Sequence, residues 1–70
     1  MKAQLKDLLK KFRKDKALTQ EQMAFKIGIN RSLYNQIENG KNDVGVNTIQ
    51  KIAKVLKVEP ELITEILKGE

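Results

Sequence analysis

The sequence predicts an all-α fold, a compact bundle of five short helices. Three observations carry that prediction. Apolar residues recur three and four positions apart along the chain, the helical period. Capping residues and glycines fall between those stripes. No segment carries a strand signal. The chain has 70 residues, enough for one domain. A chain this size buries only about 60% of its unfolded surface, so stability has to come from helix packing, helped by a second copy of the chain if an apolar face is left over.

The first helix is expected over about 3–15, with Leu5, Leu8, Leu9 and Phe12 as one apolar stripe. Its remaining faces are basic. A basic amphipathic helix can also lie on a membrane surface, but this stripe is narrow and its four side chains are needed for a core. After the short link Lys16-Ala17-Leu18, Thr19 with Gln22 three residues on has the form of a capping box. A second helix, 20–27, follows with Met23, Ala24 and Ile27 as its buried face. Gly28 ends it, as glycine tolerates positive φ. Ile29 pins the turn, and Asn30 suits the N-cap of a third helix, 31–38. There Tyr34 and Ile37 share a face, so the helix packs by one edge and leaves its polar residues outside. Residues 40–45, GKNDVG, form a loop. The fourth helix, 46–57, has the widest stripe, Val46, Ile49, Ile52, Ala53 and Leu56, and is expected to be the central pillar of the core. Its start is ambiguous, because Asn47 with Gln50 also resembles a capping box while Val46 fits the stripe. Pro60 opens a fifth helix, 60–67, with Glu59 and Glu61 favourable at its N-terminus.

Composition narrows the function. The chain contains no Cys and no His, which excludes disulfides, thiol chemistry and the common zinc sites. The few acids are scattered, and there is no glycine-rich phosphate loop, so an enzyme is not expected and no cofactor is implied. No apolar run approaches the roughly 18 residues of a membrane span. The charged N-terminal stretch lacks the core of a secretion signal, and the expected compartment is the cytoplasm. Net charge is +5. It is concentrated in residues 1–16 and in Lys51, Lys54 and Lys57, whereas residues 59–70 are acidic. A basic body with an acidic tail suits a polyanion on one side only.

A glycine in a tight turn between two helices is weak by itself. The spacing around it is stronger: an alanine four residues before Gly28, and apolar residues six and nine after it. The runs LTQEQMAFKIGINRSLYNQIENGK and VNTIQKIAKVLKVEPELI resemble the phage Cro/repressor-type helix-turn-helix family over about residues 8–64. The resemblance rests on Thr19-Gln20, Ala24, Gly28, Ile37-Glu38, Gly40, Ile52-Ala53 and Leu56-Lys57-Val58. It implies a repressor DNA-binding-domain-like fold, the helix-turn-helix being helices 2 and 3, whose third helix enters the major groove of double-stranded DNA.

Carried over by position, the resemblance implies that Arg31, Ser32 and Gln36 read bases, with Asn35 close to the same surface. Arg31 suits guanine O6 and N7, and Gln36 suits adenine N6 and N7. Gln20, Asn30, Asn39, Lys41 and Asn42 would meet phosphates or position the helix. Asn30 is equally a cap, and Ser32 equally a small residue giving clearance. Leu33 either touches a thymine methyl or is a plain exposed leucine. The Tyr34 ring belongs to the core, with a hydroxyl that could reach a phosphate. Arg13 and Glu38 correspond to a structural ion pair between the first and third helices.

Two features depart from the family pattern. Phe25 is either packed against the first helix or an exposed aromatic available to a partner. In the fifth helix Ile63 and Leu67 complete the core, while Leu62 and Ile66 have nothing left to cover them. A homodimer through helix 5, with Val58 at its edge, is therefore expected. The resulting expectation is a sequence-specific transcriptional regulator, most simply a repressor on a palindromic operator. The alternative is a protein-interaction module, such as an antitoxin-like partner protein that also binds DNA.

Overall fold

Residues 4–69 are described by the structure, a computed structural model. Among them five helices and no strand occur: α1 Leu5–Asp15, α2 Gln20–Ile27, α3 Arg31–Glu38, α4 Val46–Leu56 and α5 Pro60–Lys68. The expected start of the first helix at residue 3 lies outside the described residues, and Gln4 is the N-cap of α1. Lys57 is not helical. It caps α4 in the left-handed region at φ 59°, which turns the chain toward α5.

Local chemistry sets the boundaries around the central turn. The Gln22 N–H donates to Thr19 Oγ1 at 3.1 Å, and the Thr19 N–H donates to Gln22 Oε1 at 2.9 Å, a complete capping box. Gly28 ends α2 at φ 94°, a conformation that costs a residue with a Cβ. The N–H groups of Gly28 and Ile29 both donate to the Ala24 carbonyl. Asn30 then caps α3, its Oδ1 accepting from the Leu33 N–H at 2.7 Å. By contrast α4 begins at Val46 with Gly45 as N-cap and no side-chain cap, so the Asn47–Gln50 box is not made.

The main contacts join the helices in a ring, α1 to α3 to α2 to α4 to α5 and back to α1. The expectation that α4 is the central pillar is corrected by this arrangement, because the core lies inside the ring. It contains Leu5 and Leu9 of α1, Met23, Ala24 and Ile27 of α2, Tyr34 and Ile37 of α3, Ile49, Ile52 and Ala53 of α4, and Ile63 of α5. Val46, counted in the α4 stripe from its spacing, is 69% exposed, because it lies at the helix start, beyond the reach of the core. Leu8 and Phe12 of the α1 stripe are only half-buried. They face a groove toward α5. No helix among the described residues is long and apolar enough to cross a membrane.

Candidate nucleic-acid interface

The α3 helix divides lengthwise. Tyr34, Ile37 and Glu38 are buried, while Arg31, Ser32 and Gln36 are exposed and Asn35 is half-buried between them. At 100° per residue, the residues at 31, 32, 35 and 36 share an arc of about 140°. That side presents one cation and three uncharged hydrogen-bonding groups. No hydrogen bond or ion pair within the described residues engages the side chains of Arg31, Ser32 or Gln36. Leu33 is half-buried at the edge of the core.

The inner side of α3 is held by a charge. Glu38 is 1% exposed. Arg13 Nε donates to Glu38 Oε2 at 2.7 Å and Arg13 Nη2 to Oε1 at 3.3 Å, a two-pronged pair between α1 and α3. Arg13 Nη1 also donates to the Leu18 carbonyl at 3.1 Å, tying in the link to α2. The Tyr34 hydroxyl donates to Glu38 Oε2. The reach of that hydroxyl to a phosphate is thereby corrected: it points inward, and burial together with the neighbouring carboxylate raises its pKa. Burial pushes the Glu38 pKa up, but hydrogen bonds from Arg13, Tyr34 and Gln20 outweigh it and hold the carboxyl below its ordinary value.

The candidate contact residues fall into two groups. Gln20, Asn35 and Asn39 are joined to one another. Gln20 Nε2 donates to Glu38 Oε1 at 3.1 Å, Asn35 Nδ2 donates to Gln20 Oε1 at 2.9 Å, and Asn39 Nδ2 donates to Asn35 Oδ1 at 3.0 Å. The sequence reasoning missed this chain. Its one sequence signal is that 35 and 39 are four apart on the side next to Glu38. The second group, Lys41 and Asn42, sits in the loop after α3. The Lys41 N–H donates to the Gln36 carbonyl at 3.0 Å, so the loop starts against the helix end. Lys41 Nζ lies 3.1 Å from Asp43 Oδ1, and this lowers the pKa of Asp43. Such an exposed pair is weak and readily exchanged for another anion.

Two further surfaces flank this interface. Lys26, Lys51, Lys54 and Lys57 line a groove between α2 and α4, and Lys51 Nζ also donates to the Gly28 carbonyl at 3.3 Å. On another side Leu8, Phe12, Leu56, Val58, Leu62 and Ile66 line an apolar groove of about 290 Å³ between α1 and α5. Leu62 is 49% exposed there. Phe25 is 88% exposed, which settles its two alternatives in favour of an uncovered aromatic.

A family model described as helix-turn-helix matches residues 9–63. The uncharacterized HTH-type transcriptional regulator YqaE of Bacillus subtilis (strain 168) is 42% identical over 62 residues, 89% of this chain and 51% of its own length. Control protein C.MunI of Mycoplasma sp is 42% identical over 62 residues, 86% of this chain and 84% of its own length. Control protein C.BamHI of Bacillus amyloliquefaciens is 36% identical over 44 residues, 63% of this chain and 54% of its own length. The chain thus spans about half the length of YqaE and C.BamHI and most of C.MunI. No solved structure matches it significantly.

Proposed function

The chain belongs to the Cro/repressor-type helix-turn-helix family of DNA-binding transcriptional regulators, and on that premise we propose that it acts in the cytoplasm as a homodimeric repressor on a palindromic operator. The observation that carries the reading is the split of α3. A buried ion pair fixes one side, and the other offers Arg31, Ser32 and Gln36, which have no side-chain partner among the described residues. Side chains in that state suit base edges, which present fixed patterns of donors and acceptors in the major groove.

In this reading Arg31 grips a guanine through O6 and N7, and Gln36 grips an adenine through N6 and N7. Ser32 gives a single hydrogen bond or clearance. Asn30, Asn39, Lys41 and Asn42 meet phosphates on either side of the groove, and Gln20 does so at the first turn of α2, where the Gln20 and Glu21 N–H groups have no intrahelical partner. Two copies join through the α1–α5 groove, with Leu62 and Ile66 at its centre and Val58 at its edge. That arrangement sets two α3 helices about one helical turn of DNA apart, ~34 Å. An occupied operator then excludes polymerase. This requires no effector pocket and no second domain.

The double variant Arg31→Ala, Gln36→Ala tests the reading. It is expected to lose operator binding while keeping the parent's oligomeric state and melting temperature. The exposure of Phe25 favours one other reading, a module whose main task is to bind another protein. If the double variant keeps the biological phenotype and Phe25→Ala removes it, that second reading holds instead.

A further inference from the structure

We propose that Gln20, Asn35 and Asn39 form a polarised amide chain, anchored on the buried Glu38 carboxylate, that positions the reading side of α3 and presents Asn35 to DNA as a hydrogen-bond donor. The proposal rests on the DNA-reading function above and adds a division of labour within it. Gln20 is a positioning residue, and Asn35 reads differently from Gln36.

Glu38 is the one buried charged residue among the described residues. An ionised carboxylate only accepts hydrogen bonds. Arg13 and Tyr34 keep Glu38 in that form by donating to it from two sides. An amide can turn either its oxygen or its nitrogen toward a neighbour, and only its network decides which. Next to Glu38, Gln20 has to turn its nitrogen inward, at 3.1 Å, because its oxygen would be repelled. The Gln20 oxygen then faces outward and takes the Asn35 N–H at 2.9 Å. The Asn35 oxygen in turn takes the Asn39 N–H at 3.0 Å. Each amide therefore donates toward the buried charge, and the direction is set for three residues from a single carboxylate.

This has a consequence for sequence reading. A two-bond grip on adenine needs the N–H and the C=O of one amide turned together to the base edge. Asn35 has its oxygen and one N–H committed along the protein surface. One N–H remains, so it favours base edges that accept, such as purine N7, guanine O6 or thymine O4. Gln36 has no such ties among the described residues and keeps both functions. Removing Gln20 releases Asn35 to turn either way, and discrimination at its base pair is lost without any direct contact having been removed.

Site selection from random DNA with the parent, Gln20→Ala and Asn39→Ala tests this, together with NMR of the side-chain amides in the free proteins. In the parent, the Asn35 amide protons are expected to exchange more slowly than those of Gln36. In Gln20→Ala they become alike. The selected motif in Gln20→Ala is expected to lose preference at one position per half-site by about fivefold or more, the scale of a base contact, with affinity for random DNA within twofold of the parent. Asn39→Ala shows the same positional loss in smaller measure. If Gln20→Ala instead weakens cognate and random DNA equally and keeps the motif, Gln20 is a phosphate contact and the proposal is overturned. Equal exchange of the Asn35 and Gln36 amides in the parent also overturns it, whatever DNA is bound. A parent that selects no motif refutes the DNA-reading function itself, and the NMR result then reports separately on the amide chain.

Discussion

The α3 and α5 helices are nearly equal in length, and both pack by one side, yet they leave opposite kinds of surface uncovered. The inner side of α3 is finished. Tyr34 and Ile37 fill the core, and Glu38 is bound by Arg13, Tyr34 and Gln20. What remains outside is polar and largely unengaged. In α5 only Ile63 is fully buried, and Leu62 and Ile66 stay on an open apolar groove with Leu8 and Phe12. A polar side held rigid from behind suits a partner that offers directional hydrogen bonds. An apolar groove suits a partner that brings its own apolar surface, which in the proposed dimer is the same groove of a second copy. In the proposed reading, the side of α3 that meets DNA is fixed by buried hydrogen bonds behind it, and the surface offered to a second copy is one that the fold leaves incompletely buried.

The strongest way to break that contrast is to remove the stiffness. Glu38→Ala leaves Arg13 and the Tyr34 hydroxyl without their partner, and breaking such a buried pair costs about 3–5 kcal/mol. For a domain this size that lowers Tm by more than about 10 °C in a thermal melt. Ser32→Ala on the opposite side of the same helix is expected to change Tm little. Equal melting temperatures for the two variants would remove the claim that one side is structural. The pH dependence follows from the same group. The Glu38 pKa is depressed in the folded state, so its contribution is fully present above the ordinary carboxyl value of 4.5 and is lost as pH falls further toward its folded value. Acid titration of the parent should therefore lose stability below about pH 4.5, and Glu38→Gln should flatten that part of the curve.

The next effect falls on α5. Leu62→Asp with Ile66→Asp places two charges in the groove, and the proposed dimer is expected to dissociate to folded monomers in sedimentation. Helical content should persist, because Ile63 and the other core residues are untouched. On the reading side, Arg31→Ala is expected to cost about 1–3 kcal/mol in affinity for the cognate site and to relax the preference for guanine. Its affinity for random DNA should fall much less. The smallest effect belongs to Lys41→Ala. It should weaken all DNA alike and make the slope of log K against log salt shallower by about one unit. Asp43→Asn frees Lys41 from its 3.1 Å partner and should shift binding in the opposite direction.

The sequence was most informative where structure is local. Thr19 with Gln22, Gly28 and Asn30 each act within four residues, so capping chemistry marks the helix ends there. The helical period likewise identified most of the core. It failed at Val46, because a stripe says which residues share a face but not how far along the helix that face is covered. The pairing of Arg13 with Glu38 came from family resemblance, since nothing in a sequence links positions 25 apart. The Tyr34 hydroxyl and the Gln20–Asn35–Asn39 chain were not legible. Their hydrogen bonds depend on the crossing of α2 and α3 and on which atom of each amide faces the buried charge. The surplus of apolar residues on α5 predicts an uncovered face there, whereas the helical period assigns Leu8 and Phe12, which wall the groove on α1, to the core.

The spacing of the site that the purified parent selects from random DNA tests the proposed dimeric reader directly. The expected result is an inverted repeat whose half-sites are centred about one helical turn apart, roughly 10–10.5 base pairs. The proposed dimer, with two α3 helices related by a twofold axis through α5, reads half-sites in that arrangement. An enriched half-site without its inverted partner would contradict the dimer, and no enriched sequence at all would contradict α3 as a reader of bases.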